Sequence, residues 1–259
     1  MLFRSSRPPL FCAHAGSGDV TYFAALARHL GSEQPFYAFQ ARGFDEGQTP
    51  HRSIEEMASA YCEQMRRIQP VGPYYLSGHC LGGLLIFEMA HQLKRAGQQV
   101  ALLAMISSPA VIPDFQADES GWLRSLARDL ALLPENEMLK DYSENEQMDF
   151  VIRLIKQADY MPPWYGAAEV ERWVRVHKAC RQAGQRYVPR PLDEPLMLFR
   201  TKTPLLAEDA PEEHKRTYGW HSLSCQPVHI CELPGTHATL FQEPHIGVLA
   251  EELKRVLAR

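Results

Sequence analysis

The run Gly78-His79-Cys80-Leu81-Gly82 sets a thiol at the centre of a G-x-C-x-G pattern. Residues 74–77 before it read as a strand and residues 82–96 after it as a helix. In a nucleophile elbow of this kind, glycines on either side make room for a sharp turn. The central residue takes a strained backbone angle there. A thiol so placed lies at a helix N-terminus, where the dipole and the end N–H groups favour thiolate. The Leu81 N–H is then aimed at a developing oxyanion. A second run, His14-Ala15-Gly16-Ser17-Gly18, follows the first expected strand and offers further oxyanion donors at Gly16 and Ala15. A third, Pro234-Gly235-Thr236-His237, follows the last expected strand and offers an imidazole. Cys80 and His237 in this chain order make a nucleophile–base pair. Each piece has a plainer reading, a small buried thiol or a solvated loop histidine. The conjunction of three such turns favours chemistry.

The elements that would carry these turns alternate. Residues 9–13, 36–40, 74–77, 100–107, 195–200 and 228–233 read as strands. Residues 22–30, 82–96 and 246–257 read as helices. Ser53 and Glu56 form a capping box that opens another, with Ile54, Met57, Ala58, Tyr61, Met65 and Ile68 at helical spacing. The nearly all-apolar 100–107 suits a central strand buried on both faces. Repeated β–α units predict an α/β fold, a mostly parallel sheet with helices on both faces. Between 109 and 191 strands vanish and amphipathic helices are expected at 122–133, 148–158 and 170–183. This stretch reads as a helical insertion within one domain spanning 1–259.

With 259 residues, 45% hydrophobic and 22% charged, the chain suits one such domain. A net charge of −4 gives no footing for nucleic acid or an anionic membrane. No apolar run reaches the roughly 20 residues that span a bilayer. The first residues lack the apolar stretch of a signal peptide. Six scattered cysteines without a C-x-x-C pair predict neither a disulfide framework nor a metal site, and a reducing cytoplasm is the expected location.

The chain resembles the releasing (type I) thioesterase domains of nonribosomal peptide and polyketide synthetases. The likeness is carried by Pro9-Leu10-Phe11-Cys12-Ala13-His14, by Gly72-Pro73-Tyr74-Tyr75-Leu76-Ser77-Gly78-His79-Cys80-Leu81-Gly82-Gly83, by Phe87-Glu88-Met89-Ala90, and by Gly219-Trp220 and Pro234-Gly235-Thr236-His237. It implies an α/β-hydrolase fold whose 109–191 insertion is a helical lid over an acyl pocket. Trp122, Leu126, Trp164 and Trp173 would line that pocket or simply pack helix on helix. The likeness also implies a carrier protein domain that delivers an acyl or peptidyl thioester on phosphopantetheine. No cofactor would be bound by the domain itself. A monomer, or a domain of a larger synthetase, is expected.

Two positions depart from the family pattern. Cys80 stands where most members have serine, and Ser107 where most have the aspartate of the triad. A thiol, with an ordinary pKa near ~8.5, needs less help from its base than a hydroxyl does. Ser107 would then hold the imidazole by a hydrogen bond. The alternative acid is a carboxylate after the 195–200 strand, Asp209 or Glu208, whose plainer reading is a solvated acidic loop with Glu212 and Glu213. Cys80 as an engineered substitute for serine fits less well, since the two departures make sense together. A cysteine keeps the covalent intermediate a thioester, which favours cyclisation (lactone or lactam) over hydrolysis. An editing thioesterase that clears misloaded carriers, or a catalytically silent acyl-carrier-binding fold, are the competing readings.

Overall fold

A computed structural model describes residues 7–111, 165–203, 205–206 and 209–258, with 146, 149–150, 152–153 and 155. Six strands form one sheet: β1 (Leu10–Ala13), β2 (Phe36–Phe39), β3 (Tyr74–His79), β4 (Val100–Ile106), β5 (Leu196–Thr201) and β6 (His229–Leu233). Their order is β2-β1-β3-β4-β5-β6 and every neighbouring pair is parallel. The sequence reading of a mostly parallel sheet therefore holds.

Strand alternation decides which residues face which layer. On β1, Leu10 and Cys12 join the core under α1 (Phe23–Leu30) and α6 (His245–Leu257). Phe11 and Ala13 join the opposite core with α2 (Ile54–Ile68), α3 (Leu81–Arg95) and α4 (Ala167–Arg186). Central β4 does the same, with Leu102, Ala104 and Ile106 on one face and Leu103 and Met105 on the other. This two-residue period is the pleat itself. Helix α3 is buried along most of its length, as the apolar run from Leu81 to Phe87 requires.

Several details differ from the sequence reading. Ser53 caps α2 by accepting the Glu56 N–H at 3.2 Å, but the return bond of Glu56 goes to the Arg52 N–H at 2.8 Å. Strand β3 runs on to His79, and β4 stops at Ile106, one residue short of the expectation. The acidic stretch at Glu212 and Glu213 is not a loop but the first turn of a short helix, α5 (Glu212–Thr217). Its acids lie at the N-terminal end and His214, Lys215 and Arg216 at the other, the arrangement the helix dipole favours. Helix α4 is longer than the expected 170–183. Residues 122–133 lie outside the described residues, as do Trp122, Leu126 and Trp164; those described within 148–158 are helical. Trp173 is buried and stacks on His177 with ring centroids 5.5 Å apart, which is packing. No helix among the described residues is long and apolar enough to cross a membrane.

One buried acid joins α3 to the end of α4. Glu88, 4% exposed, accepts the Tyr187 hydroxyl at 2.9 Å, the Gln92 amide at 3.0 Å and the Arg95 guanidinium at 3.3 Å. Removing it leaves a buried hydroxyl without its acceptor. Glu88→Ala is expected to cost about 3 kcal/mol, and so to lower Tm by roughly 5–10 °C for a chain of this size. Glu88→Gln keeps an acceptor and should cost clearly less. Thermal denaturation of the two variants checks the ranking.

Candidate active site

The turns singled out in the sequence meet at the carboxyl edge of the sheet. The chain leaves β1 for β2 on one side, then returns to β3 on the other. Such a reversal opens a crevice beyond the strand ends. Cys80 follows β3 directly and is half-buried, with φ 54° and ψ −118°. A non-glycine residue in this region is strained, and the surroundings hold it there. Its N–H donates to the Ile106 carbonyl at 3.1 Å, and its carbonyl accepts the Gly83 N–H at 3.1 Å. A Cβ on Gly78 would overlap the Gly82 carbonyl, and one on Gly82 would overlap the Ala13 and His14 carbonyls. The strand end, the helix start and the turn after β1 are thus pressed together without side chains between them. Leu81 opens α3, so its N–H has no carbonyl one helical turn earlier to bond.

The turn after β1 separates its two candidate donors. The Ala15 N–H donates to the Tyr22 hydroxyl at 3.0 Å. It is therefore engaged, and Ala15 drops out of the oxyanion-donor set expected from the sequence. Gly16 is half-buried, and among the described residues nothing occupies the place where a Cβ would stand.

His237 follows β6. Its Nδ1 lies 2.9 Å from Ser107 Oγ. Ser107 is fully buried, with φ 43°, and its N–H donates to the Phe199 carbonyl at 2.7 Å. The next residue is pinned as well, since the Trp220 indole N–H donates to the Ser108 carbonyl at 2.8 Å. Ser107 thus meets the imidazole where the family pattern has an acid. Asp209, the alternative acid, is exposed in the turn before α5, whereas Ser107 Oγ lies within hydrogen-bond distance of His237 Nδ1. Glu208 lies outside the described residues.

Two residues at the site went unassigned in the sequence. His79 lies 4.9 Å from the His237 ring at 32°, and 4.6 Å from Phe241. It is 8% exposed, and neither ring nitrogen has a hydrogen-bond partner among the described residues. Burial, and then the neighbouring His237, hold its pKa well below the ordinary imidazole range. His79 is therefore a neutral wall behind His237. Tyr22 packs edge-on to both His79 and Phe241, and burial raises its hydroxyl pKa well above the ordinary value, so it stays protonated. Among the described residues no cluster of three or more His, Cys, Asp and Glu could hold a metal ion. None of the six cysteines forms a disulfide.

A family model described as Thioesterase domain matches residues 8–257. The chain belongs to the thioesterase family. Over 248 residues it is 29% identical to an atromentin synthetase of Tapinella panuoides, a match that takes in 93% of this chain and 26% of that protein. The thioesterase thus spans about a quarter of the length of such relatives. A solved four-domain nonribosomal peptide synthetase, bound to AMP and glycine, superposes with a TM-score of 0.85 at 28% identity, over 96% of this chain and 19% of that one. The Vlm2 thioesterase domain, bound with a dodecadepsipeptide, gives 0.70 at 25% identity over 97% of this chain and 93% of that one. The α/β-hydrolase fold and the relation to synthetase thioesterase domains follow.

Two further histidines near these turns make the thioesterase sensitive to acid. Burial pushes His14 down to about 4 and His177, with help from the Arg181 charge, down to about 3. Unfolded, both titrate near ~6.5. Between pH 6.5 and 4 the unfolded chain therefore takes up protons that the folded chain refuses, so stability falls as pH falls. At about 1.4 kcal/mol per pKa unit, the two together cost about 4 kcal/mol on going from pH 7 to pH 5. Urea denaturation at the two pH values checks this, and His177→Leu should shrink the difference by about 2 kcal/mol, its own share.

Proposed function

We propose that this chain takes an acyl or peptidyl group from the phosphopantetheine thioester of a carrier protein onto Cys80, and releases it. An internal nucleophile is the favoured acceptor, with water second. The observation that carries this reading is Ser107 Oγ at His237 Nδ1, in a chain whose elbow residue is cysteine. A neutral hydroxyl orients the imidazole but adds no charge to strengthen it as a base. That suits a thiol and is poorly matched to a serine.

In this mechanism His237 keeps its proton on Nδ1, donated to Ser107 Oγ, and Nε2 takes the thiol proton. The Cys80 sulfur attacks the substrate carbonyl, and the oxyanion is met by the N–H groups of Leu81 and Gly16. Collapse breaks the carbon–sulfur bond to pantetheine. The imidazolium returns its proton to the departing thiolate. The new bond is again a thioester, so the acyl group keeps its activation. In the second half, His237 takes a proton from the acceptor as the acceptor–acyl bond forms, and returns it to the Cys80 sulfur as the Cys80–acyl bond breaks. An activated intermediate has most value when the acceptor is weak or the ring strained.

The test is the mass of the product formed from peptidyl-pantetheine thioesters that carry an internal hydroxyl or amine. Cyclisation gives the acyl chain less the thiol, and hydrolysis gives that mass plus water. Cyclic product as the major species supports the reading. Hydrolysis of every such substrate, with short acyl groups preferred, would instead make this an editing hydrolase.

A further inference from the structure

The peptide between Ala15 and Gly16 has its carbonyl held from two sides. Ala15 O accepts the His14 Nδ1–H at 2.6 Å and the Gly18 N–H at 3.0 Å. The bond is trans and planar, so its N–H points opposite to its C=O. The groups that hold the carbonyl therefore turn the Gly16 N–H the other way. The preceding peptide is fixed too, because the Ala15 N–H is bound to Tyr22.

His14 itself is locked. It is fully buried, and its Nε2 lies 2.7 Å from the Tyr61 hydroxyl. Tyr61 is 1% exposed, and its ring stacks on Phe39 at 4.9 Å and 8°. With Nδ1–H committed to a carbonyl, Nε2 is the acceptor and the Tyr61 O–H the donor. The Ala15 carbonyl thus fixes the tautomer, and the Tyr61 O–H, donating to Nε2, holds the ring in the orientation that clamps Ala15 O. Burial keeps the ring neutral, down to about pH 4.

We infer that His14 and Tyr61 are positioning residues for the oxyanion hole: they orient the Ala15–Gly16 peptide so that the Gly16 N–H meets the developing charge. Neither touches substrate. This rests on the acyl-transfer reading above, so the test carries a control for that reading. Acylation of Cys80 by a thioester passes through an oxyanion, whereas alkylation of the same sulfur by iodoacetamide does not. Only acylation should respond to the clamp.

Three variants separate the parts. Asparagine places an amide N–H near the Nδ1 position, so His14→Asn retains a donor to Ala15 O. Glutamine reaches instead towards Nε2, so His14→Gln retains the Tyr61 contact and loses the clamp. Tyr61→Phe keeps the stacked ring and loses the hydroxyl that holds Nε2. Single-turnover acylation and site-resolved alkylation of Cys80 are read by mass spectrometry. His14→Gln is expected to slow acylation by about 10²-fold, the cost of one oxyanion donor, with alkylation and substrate affinity unchanged. His14→Asn should lose clearly less, and Tyr61→Phe should slow acylation alone. Acylation and alkylation falling together, or His14→Gln outperforming His14→Asn, or no change in any variant, overturns the clamp. Wild-type protein that alkylates at Cys80 but never acylates there counts against the acyl-transfer reading instead.

Discussion

Cys80→Ser is expected to lower turnover by on the order of 10⁴-fold. That is the size of loss when a serine triad keeps its histidine but loses its carboxylate. The hydroxyl is a far weaker acid than the thiol, and here a neutral Ser107 Oγ stands at Nδ1 of the imidazole that must take its proton, where the family pattern has an acid. The same logic predicts a partial rescue. Ser107→Asp in the Cys80→Ser background puts a carboxylate at Nδ1, and should recover at least tenfold of the loss. The acid limb of its pH–rate profile should also move up by about 1–3 units, because a carboxylate beside the imidazole favours imidazolium. Steady-state kinetics of the two single variants and the double variant give the cycle. A Cys80→Ser enzyme within tenfold of wild type would mean that the thiol and the missing carboxylate are unrelated.

The second large effect concerns the base. His237→Ala should slow acylation of Cys80 by about 10²–10⁴-fold, the range for loss of a positioned general base. Substrate affinity should barely move, since the imidazole acts on the proton rather than on binding. Ser107→Ala removes only the orienting hydrogen bond and should cost about fivefold, because one neutral hydrogen bond is worth about 1 kcal/mol. Single-turnover measurements of both variants test the order. Equal losses in the two would assign Ser107 a larger part than orientation.

The central machinery is legible in the sequence because it is local. The G-x-C-x-G run states its own geometry: Gly78 and Gly82 stand where the Gly82, Ala13 and His14 carbonyls leave no room for a Cβ. The parallel sheet is legible because each strand shows its apolar run and each connection its helix. Ser107 is legible through the resemblance alone, which puts the family's acid at that position after β4. What the sequence hides depends on long-range contacts. Gly16 and Ala15 look equivalent until the Tyr22 hydroxyl takes one N–H and leaves the other. His79 reads as a turn residue until the loop after β6 brings His237 and Phe241 against it. His14 reads as part of a Gly-rich turn until Tyr61, on the second helix, reaches its ring. The acids at Glu212 and Glu213 look like a solvated loop because nothing local shows the short helix they open.

The account stands or falls on a covalent bond at Cys80. Intact-protein mass spectrometry after mixing with a peptidyl-pantetheine thioester measures it directly, with Cys80→Ala alongside. A gain of the acyl mass on Cys80 that decays into product, absent in Cys80→Ala, is the predicted result. Product release by wild type and Cys80→Ala at the same rate, with no adduct on either, would contradict it.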